Sequence, residues 1–211
     1  MRGRTISIRH TIFPRAGLSA SPAFFLTLAA ALLVGGAEVA AAVLLAASMH
    51  ELGHLLALRL LGASVEGLRL GGFGAEIRAR THRLSYFREL LAVLAGPAVN
   101  LLAAPLIASY AVRHGWDWGC LFAGAHVVLG VYNLLPIPPL DGARALYLVT
   151  AYCFDPYAAD RAVAAVGLVC SCVLCAFGAY LAVCWGGMLF LLASFGLFLP
   201  QLGLAKQRAT V

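Results

Sequence analysis

Charge is scarce in this sequence: Asp, Glu, Lys and Arg make up only 11% of the 211 residues, against 62% hydrophobic ones. A soluble domain carries roughly a quarter of its residues as charged groups. So small a supply excludes an ordinary soluble enzyme or binding domain and points to an integral membrane protein. A basic patch is missing as well. The formal charge of +6 is spread beside apolar stretches, without aromatic-interleaved runs, and nucleic acid is therefore not an expected partner. Nor is there a disulfide framework. Of the six cysteines, Cys120, Cys153, Cys170, Cys172, Cys175 and Cys184, most lie inside apolar stretches and read as small apolar residues. The Cys172, Cys175 spacing has neither a second pair nor a soluble βαβ context to make it a redox or metal motif. Residues 1–15 are basic but precede no cleavage-site pattern, so the first apolar segment is expected to stay in the protein.

Long apolar runs, in contrast, fill the chain. Six can be marked: Pro22 to Val34, Ala37 to Leu61, Leu90 to Val112, Trp118 to Leu135, Ala162 to Cys184 and Gly186 to Leu202. The first is short for a span, and the Val34-Gly35-Gly36 connection suggests that it forms an antiparallel hairpin with the second. The expected fold is an all-α integral membrane protein of about six transmembrane helices in a single domain covering residues 1–211. Basic residues are retained on the cytoplasmic side of membranes. Here Arg2, Arg4, Arg9 and Arg15 precede the first run, Arg69, Arg78, Arg80, Arg83 and Arg88 follow the second, and Lys206 and Arg208 close the chain. Only Arg113 falls on the other side, so both termini are expected in the cytoplasm. Between the second and third runs, Phe73, Ala75, Ile77 and Ala79 alternate with Gly74, Glu76, Arg78 and Arg80 after a Gly71-Gly72 break. That pattern fits a short cytoplasmic β-hairpin over Val65 to Arg80, with a Gly-containing loop as the plainer alternative.

Within the second run stands His50-Glu51-Leu52-Gly53-His54. On a helix His50 and His54 lie one turn apart on one side, so both imidazoles can ligate one metal ion while Glu51 stays close to a water on that ion. Zinc would acidify the water and polarise a scissile carbonyl, and Glu51 would take the proton as general base. Three ionisable side chains inside a span are costly and mark function. Counting from Ala37, His50 lies roughly 20 Å from the outer end of its helix, towards the cytoplasmic side. Two histidines leave a catalytic zinc one protein ligand short, and Asp141 is the best candidate for the third. It follows Pro136, Pro138 and Pro139, which must stop the fourth helix and can turn the chain back. Taken alone, Asp141 reads as a turn or capping residue.

Together these pieces resemble the site-2 protease family of intramembrane metalloproteases, which pairs a histidine motif on one span with an L-D-G motif on a later one. Here the pair is His50 to His54 with Leu140-Asp141-Gly142, and Gly96-Pro97-Ala98-Val99-Asn100 resembles the family's recurrent G-P-x-x-N. Ser21 to Leu26 and the Asn133 to Gly142 run resemble the stage IV sporulation protein FB group most. The resemblance implies one zinc per chain held by His50, His54 and Asp141, and regulated cleavage of a membrane-associated protein, in that group a pro-sigma factor. It also implies a bacterial cell membrane and admits membrane-protein inhibitors as partners. Asn133 would orient the substrate backbone or polarise its carbonyl, with a hydrogen bond at the helix end as the competing role. No PDZ or CBS domain is expected. Ala143 stands where the family usually has a second glycine, and His126 where many members have Asn; a hydrogen-bonded interior histidine is favoured there over a ligand.

A helical substrate hides its peptide bonds, so the hairpin residues Gly71, Gly72 and Phe73 are candidates to hold the cut segment extended by strand addition. Two other readings compete with the protease. A non-catalytic metal-binding scaffold would not need Glu51, and a metal transporter would need ionisable residues at several depths, which the remaining runs lack.

Overall fold

The computed structural model describes residues 17–20, 22–71, 74–80, 84–185 and 198. Among them the chain forms β1 (Gly17–Ala20), α1 (Pro22–Leu60), β2 (Ser64–Gly71), β3 (Gly74–Arg80), α2 (Tyr86–His114), α3 (Asp117–Asn133), α4 (Asp141–Cys153) and α5 (Pro156–Trp185). The apolar run from Gly186 to Leu202 lies outside the described residues, residue 198 excepted.

Local signals set the helix ends. α1 is interrupted at Gly36, whose φ of 73° and ψ of 178° are non-helical, so its first two sequence runs meet at one glycine in the left-handed half of φ space. It stops at Gly62, φ 83°, where Ala63 N–H returns to Leu58 O. α2 starts at Ser85, whose Oγ accepts from Arg88 N–H, and ends at Gly115 in the αL conformation. α5 starts at Pro156, six residues before the expected Ala162, because Asp155 Oδ1 caps Ala158 N–H and proline suits the first helical position.

Three described helical stretches are long and apolar enough to cross a bilayer: Gly35–Leu60, Tyr86–His114 and Pro156–Cys184. Their packing is inverted relative to a soluble core. Large residues such as Leu52, Leu102, Leu106, Val128 and Val173 face outward, while Ala42, Ala46, Ala92, Ala104, Ala111 and Ala123 fill the inside. The buried polar side chains His50, His54, Asn100 and His126 are also inside. Lipid gives helices no hydrophobic reason to associate, so small residues that allow close approach and polar groups that bond across the interface take over. α2 is the central element, packed against α1, α3 and α4.

β2 pairs antiparallel with β3, from Ser64 opposite Arg80 to Gly71 opposite Gly74, with a bulge between Val65 and Gly67. β1 adds a parallel strand on the other edge of β2, giving the order β1-β2-β3. Sequence reading did not anticipate β1, because a four-residue stretch is too short for alternation to be read. Helix α4 was also unforeseen. It follows a seven-residue segment, Leu134 to Leu140, that folds back through bonds from Ile137 N–H to Leu135 O and from Leu140 N–H to Ile137 O.

Ile137 and Leu140 pin that segment, buried against Tyr132, Leu135, Cys170 and Leu174. Ile137→Ala should destabilise the protein by about 2–5 kcal/mol, read as an earlier unfolding transition in detergent micelles. An unchanged transition would mean that the segment is held by other contacts.

Candidate metal centre

His50 and His54 project from one side of α1, their rings 4.7 Å apart between centroids and nearly perpendicular at 84°. Their Nε2 atoms are 3.1 Å from each other. Asp141, the first residue of α4, brings Oδ2 to 3.0 Å from His50 Nε2 and 3.1 Å from His54 Nε2. The three donor atoms thus face one another across the gap between α1 and α4. Donors about 2.0–2.1 Å from one tetrahedral zinc stand roughly 3.3 Å apart, so the triangle matches a cation-sized point with only slight opening. Two neutral imidazoles and one carboxylate also give it the charge and ligand types that a divalent transition metal prefers.

Each member is held from behind. His54 Nδ1 lies 2.9 Å from Ala92 O, and His50 Nδ1 lies 3.2 Å from Asn100 Nδ2. Asn100 Oδ1 in turn lies 3.0 Å from His126 Nδ1 on α3. Ala92, Gly96 and Asn100 recur every fourth residue, so one face of α2 seats both rings. Gly96 is needed there: a methyl group at its position would overlap the His54 ring and stand 2.8 Å from His50 Nε2. Gly53 plays the matching part on α1, where a methyl would lie 2.9 Å from Ala95 O.

Asp141 is fixed by its neighbours in sequence. Leu140 is buried, and a side chain at Gly142 would collide with the backbone carbonyls of Leu134 and Leu135. L-D-G therefore reads physically as anchor, candidate ligand and close approach. Arg144, one turn on, pairs with Glu89 in the first turn of α2 and lies over the Tyr147 ring, tying the start of α4 to α2. The carboxylate also benefits from its place at a helix N-terminus.

The other candidate residues are placed as follows. Glu51 is half-buried on α1, next to His50. Asn133, the last residue of α3, donates from Nδ2 to Leu129 O at 3.0 Å, a bond within its own helix. Gly71 ends β2 opposite Gly74, while Gly72 and Phe73 lie outside the described residues. His126 is an interior histidine, fully buried and joined to the site through Asn100. Sequence reasoning named Asn100 only through its motif and did not connect it to His50. The fourfold spacing of residues 92, 96 and 100 was the available signal.

No family model matches the chain. Among curated proteins, one named as the zinc metalloprotease Rip3 of Mycobacterium tuberculosis is 33% identical over 160 residues, covering 68% of this chain and 38% of that protein. Stage IV sporulation protein FB of Bacillus subtilis is 30% identical over 132 residues, 61% of this chain and 46% of that protein. Among solved structures, the site-2 protease of Methanocaldococcus jannaschii superposes with a TM-score of 0.68 at 19% identity, covering 88% of this chain and 89% of that one. The chain belongs to the site-2 protease family. It spans about two fifths of the length of the mycobacterial relative, 38%. As a site-2 protease relative with three apolar helices of spanning length, it is a membrane protein.

The seating of the rings on α2 predicts the effect of filling it. Gly96→Val should abolish stoichiometric metal binding while helix content persists, as read by elemental analysis and circular dichroism of purified protein. Full metal content in the variant would mean that the rings are not seated against α2.

Proposed function

We propose that the chain is an intramembrane zinc metalloendopeptidase that cuts a membrane-associated protein near the cytoplasmic face of a bacterial membrane. The observation that carries this reading is the convergence of His50 Nε2, His54 Nε2 and Asp141 Oδ2 within 3.0–3.1 Å, with Glu51 adjacent in sequence to His50. These three residues would hold one zinc ion per chain, whose chemistry is to polarise a carbonyl and make water acidic. Glu51 accepts the proton of the attacking water and delivers it to the leaving amine. Asp141 orients towards both imidazoles and completes the donor set. Asn133, at the end of α3, would orient the substrate backbone once its amide leaves the Leu129 carbonyl.

The distribution of arginines supports cytoplasmic termini and an arrangement of about six spans, with the run from Pro22 to Val34, α3 and the run from Gly186 to Leu202 adding to the three helices of spanning length. α3 has 17 residues, roughly 25 Å, enough to cross a slightly thinned bilayer. The β-sheet following α1 supplies backbone edges on which an unwound substrate segment can pair; Gly71 ends β2 opposite Gly74, and Gly72 and Phe73 follow it in sequence. The relationship to stage IV sporulation protein FB supports a pro-sigma factor as the substrate class to try first.

The direct test is co-expression of a membrane-tethered pro-sigma factor with the chain or with Glu51→Gln, followed by blotting for the shortened product. Loss of the base should lower cleavage by about 10²–10⁴-fold while metal content stays. Equal cleavage by the variant would remove Glu51 from the chemistry. A metal-bearing wild type that cuts nothing would favour the scaffold reading.

Substrate pairing predicts a second split between binding and cutting. Proline at Gly72 or Phe73 removes a backbone donor, and each variant should keep its zinc yet lose processing. Unaltered processing would take the strand connection out of the mechanism.

A further inference from the structure

The two imidazoles differ in how their second nitrogens are held. His54 Nδ1 faces Ala92 O at 2.9 Å. A carbonyl can only accept, so Nδ1 carries the hydrogen and Nε2 offers a lone pair to a cation. His50 has a partner that can act either way, because its Nδ1 faces the side-chain amide of Asn100 at 3.2 Å. With Nδ2 towards His50, the ring would carry its hydrogen on Nε2 and point it at Asp141 Oδ2, 3.0 Å away. That form has no lone pair for a metal at Nε2. A half-turn of the amide exchanges its oxygen and nitrogen with almost no change of shape. His50 Nδ1–H then donates to the oxygen, and Nε2 becomes a ligand.

The far end of the amide must tolerate the same exchange. It meets His126 Nδ1 at 3.0 Å, and a neutral imidazole donates from one tautomer and accepts in the other. His126 is completely buried, and its Nε2 has no hydrogen-bond partner among the described residues, so no hydrogen bond there fixes the tautomer. The ring can therefore answer either orientation of Asn100.

We propose that Asn100 is a positioning residue for the metal centre. Its oxygen receives His50 Nδ1–H when a cation is held, and His126 is the adjustable partner that keeps the amide bonded in both orientations. This assignment rests on the metal reading given above. It explains why an asparagine and a histidine are buried together beside α1, and why residue 100 has to offer an acceptor to one ring and a group of either kind to the other.

The test uses full-length protein in detergent, with zinc affinity measured by competition against a chelator and the visible spectrum of the cobalt-loaded form as a second readout. Asn100→Ala should weaken zinc by about ten- to hundredfold and alter the cobalt bands, because His50 loses the partner that directs Nε2. Asn100→Asp keeps an acceptor for His50 and a second oxygen to which His126 can donate, so it should retain the wild-type spectrum and most of the affinity. His126→Asn, which can also donate or accept, should match wild type, and His126→Leu should weaken zinc less than Asn100→Ala does. Wild-type affinity and spectrum in Asn100→Ala would overturn the inference alone, as would an Asn100→Asp protein as weak as the alanine variant. A wild-type chain that binds no metal, or binds it equally well as His50→Ala, would overturn the metal reading and this inference together.

Discussion

Two imidazoles in the interior of an apolar helix bundle impose one constraint on everything around them: each ring nitrogen needs a partner that is not bulk water. The Nε2 atoms face Asp141 and each other across a cation-sized gap. The Nδ1 atoms turn to α2 and find Ala92 O and Asn100. A neighbouring helix that offers a backbone carbonyl and a side-chain amide two turns apart is thus part of the candidate metal centre. α2 meets this demand with residues 92, 96 and 100 on one face.

Close approach follows from that demand. The imidazoles reach α2 only because Gly96 leaves room for them, and α1 itself nears α2 only because Gly53 presents no side chain to Ala95 O. In lipid, small residues at helix interfaces supply the packing that the hydrophobic effect supplies in water. The same glycines therefore serve stability and chemistry at once. Asp141 arrives from a different direction by a different device. The segment before it is pinned by buried Ile137 and Leu140, and the pair Arg144 and Glu89 locks the first turn of α4 to α2. α2 thereby holds both halves of the donor set, the histidines through side-chain bonds and the aspartate through the next helix.

How much of this was readable in advance depended on the range of the signal. His50 and His54 were legible because ligand spacing and helix period coincide over four residues. Asp141 was legible by the ligand deficit and by the prolines that had to break the preceding helix. The break at Gly36 also lay in the sequence, as a Gly-Gly pair between two apolar runs. By contrast, β1 is too short to show alternation, and α4 lies in a mixed stretch that hydropathy alone does not mark. The early start of α5 was encoded in Asp155-Pro156 but masked by the weaker hydropathy of the first turn. The spacing of residues 92, 96 and 100 marked one face of α2 as special, but the link from His50 through Asn100 to His126 needed the fold, because periodicity gives the face of a helix and not which helix it meets.

The burial pattern separates the two tasks of the site. On the α2 side, Asn100 and His126 are wholly excluded from the surface, so the groups that fix ring orientation do not exchange their bonds with water. On the α4 side, the Asp141 side chain keeps 23% of its surface, and Glu51 on α1 is half-buried. The donor triangle is thus more open on the side of Asp141 and closed on the side of Asn100 and His126. The hydrolase proposed above would need both conditions, since water would have to reach one bond without hydrating the bundle that positions the donor residues. Small residues close the dry side, and the proline-broken segment before Asp141 forms the other, where irregular backbone is tolerated because protein surrounds it.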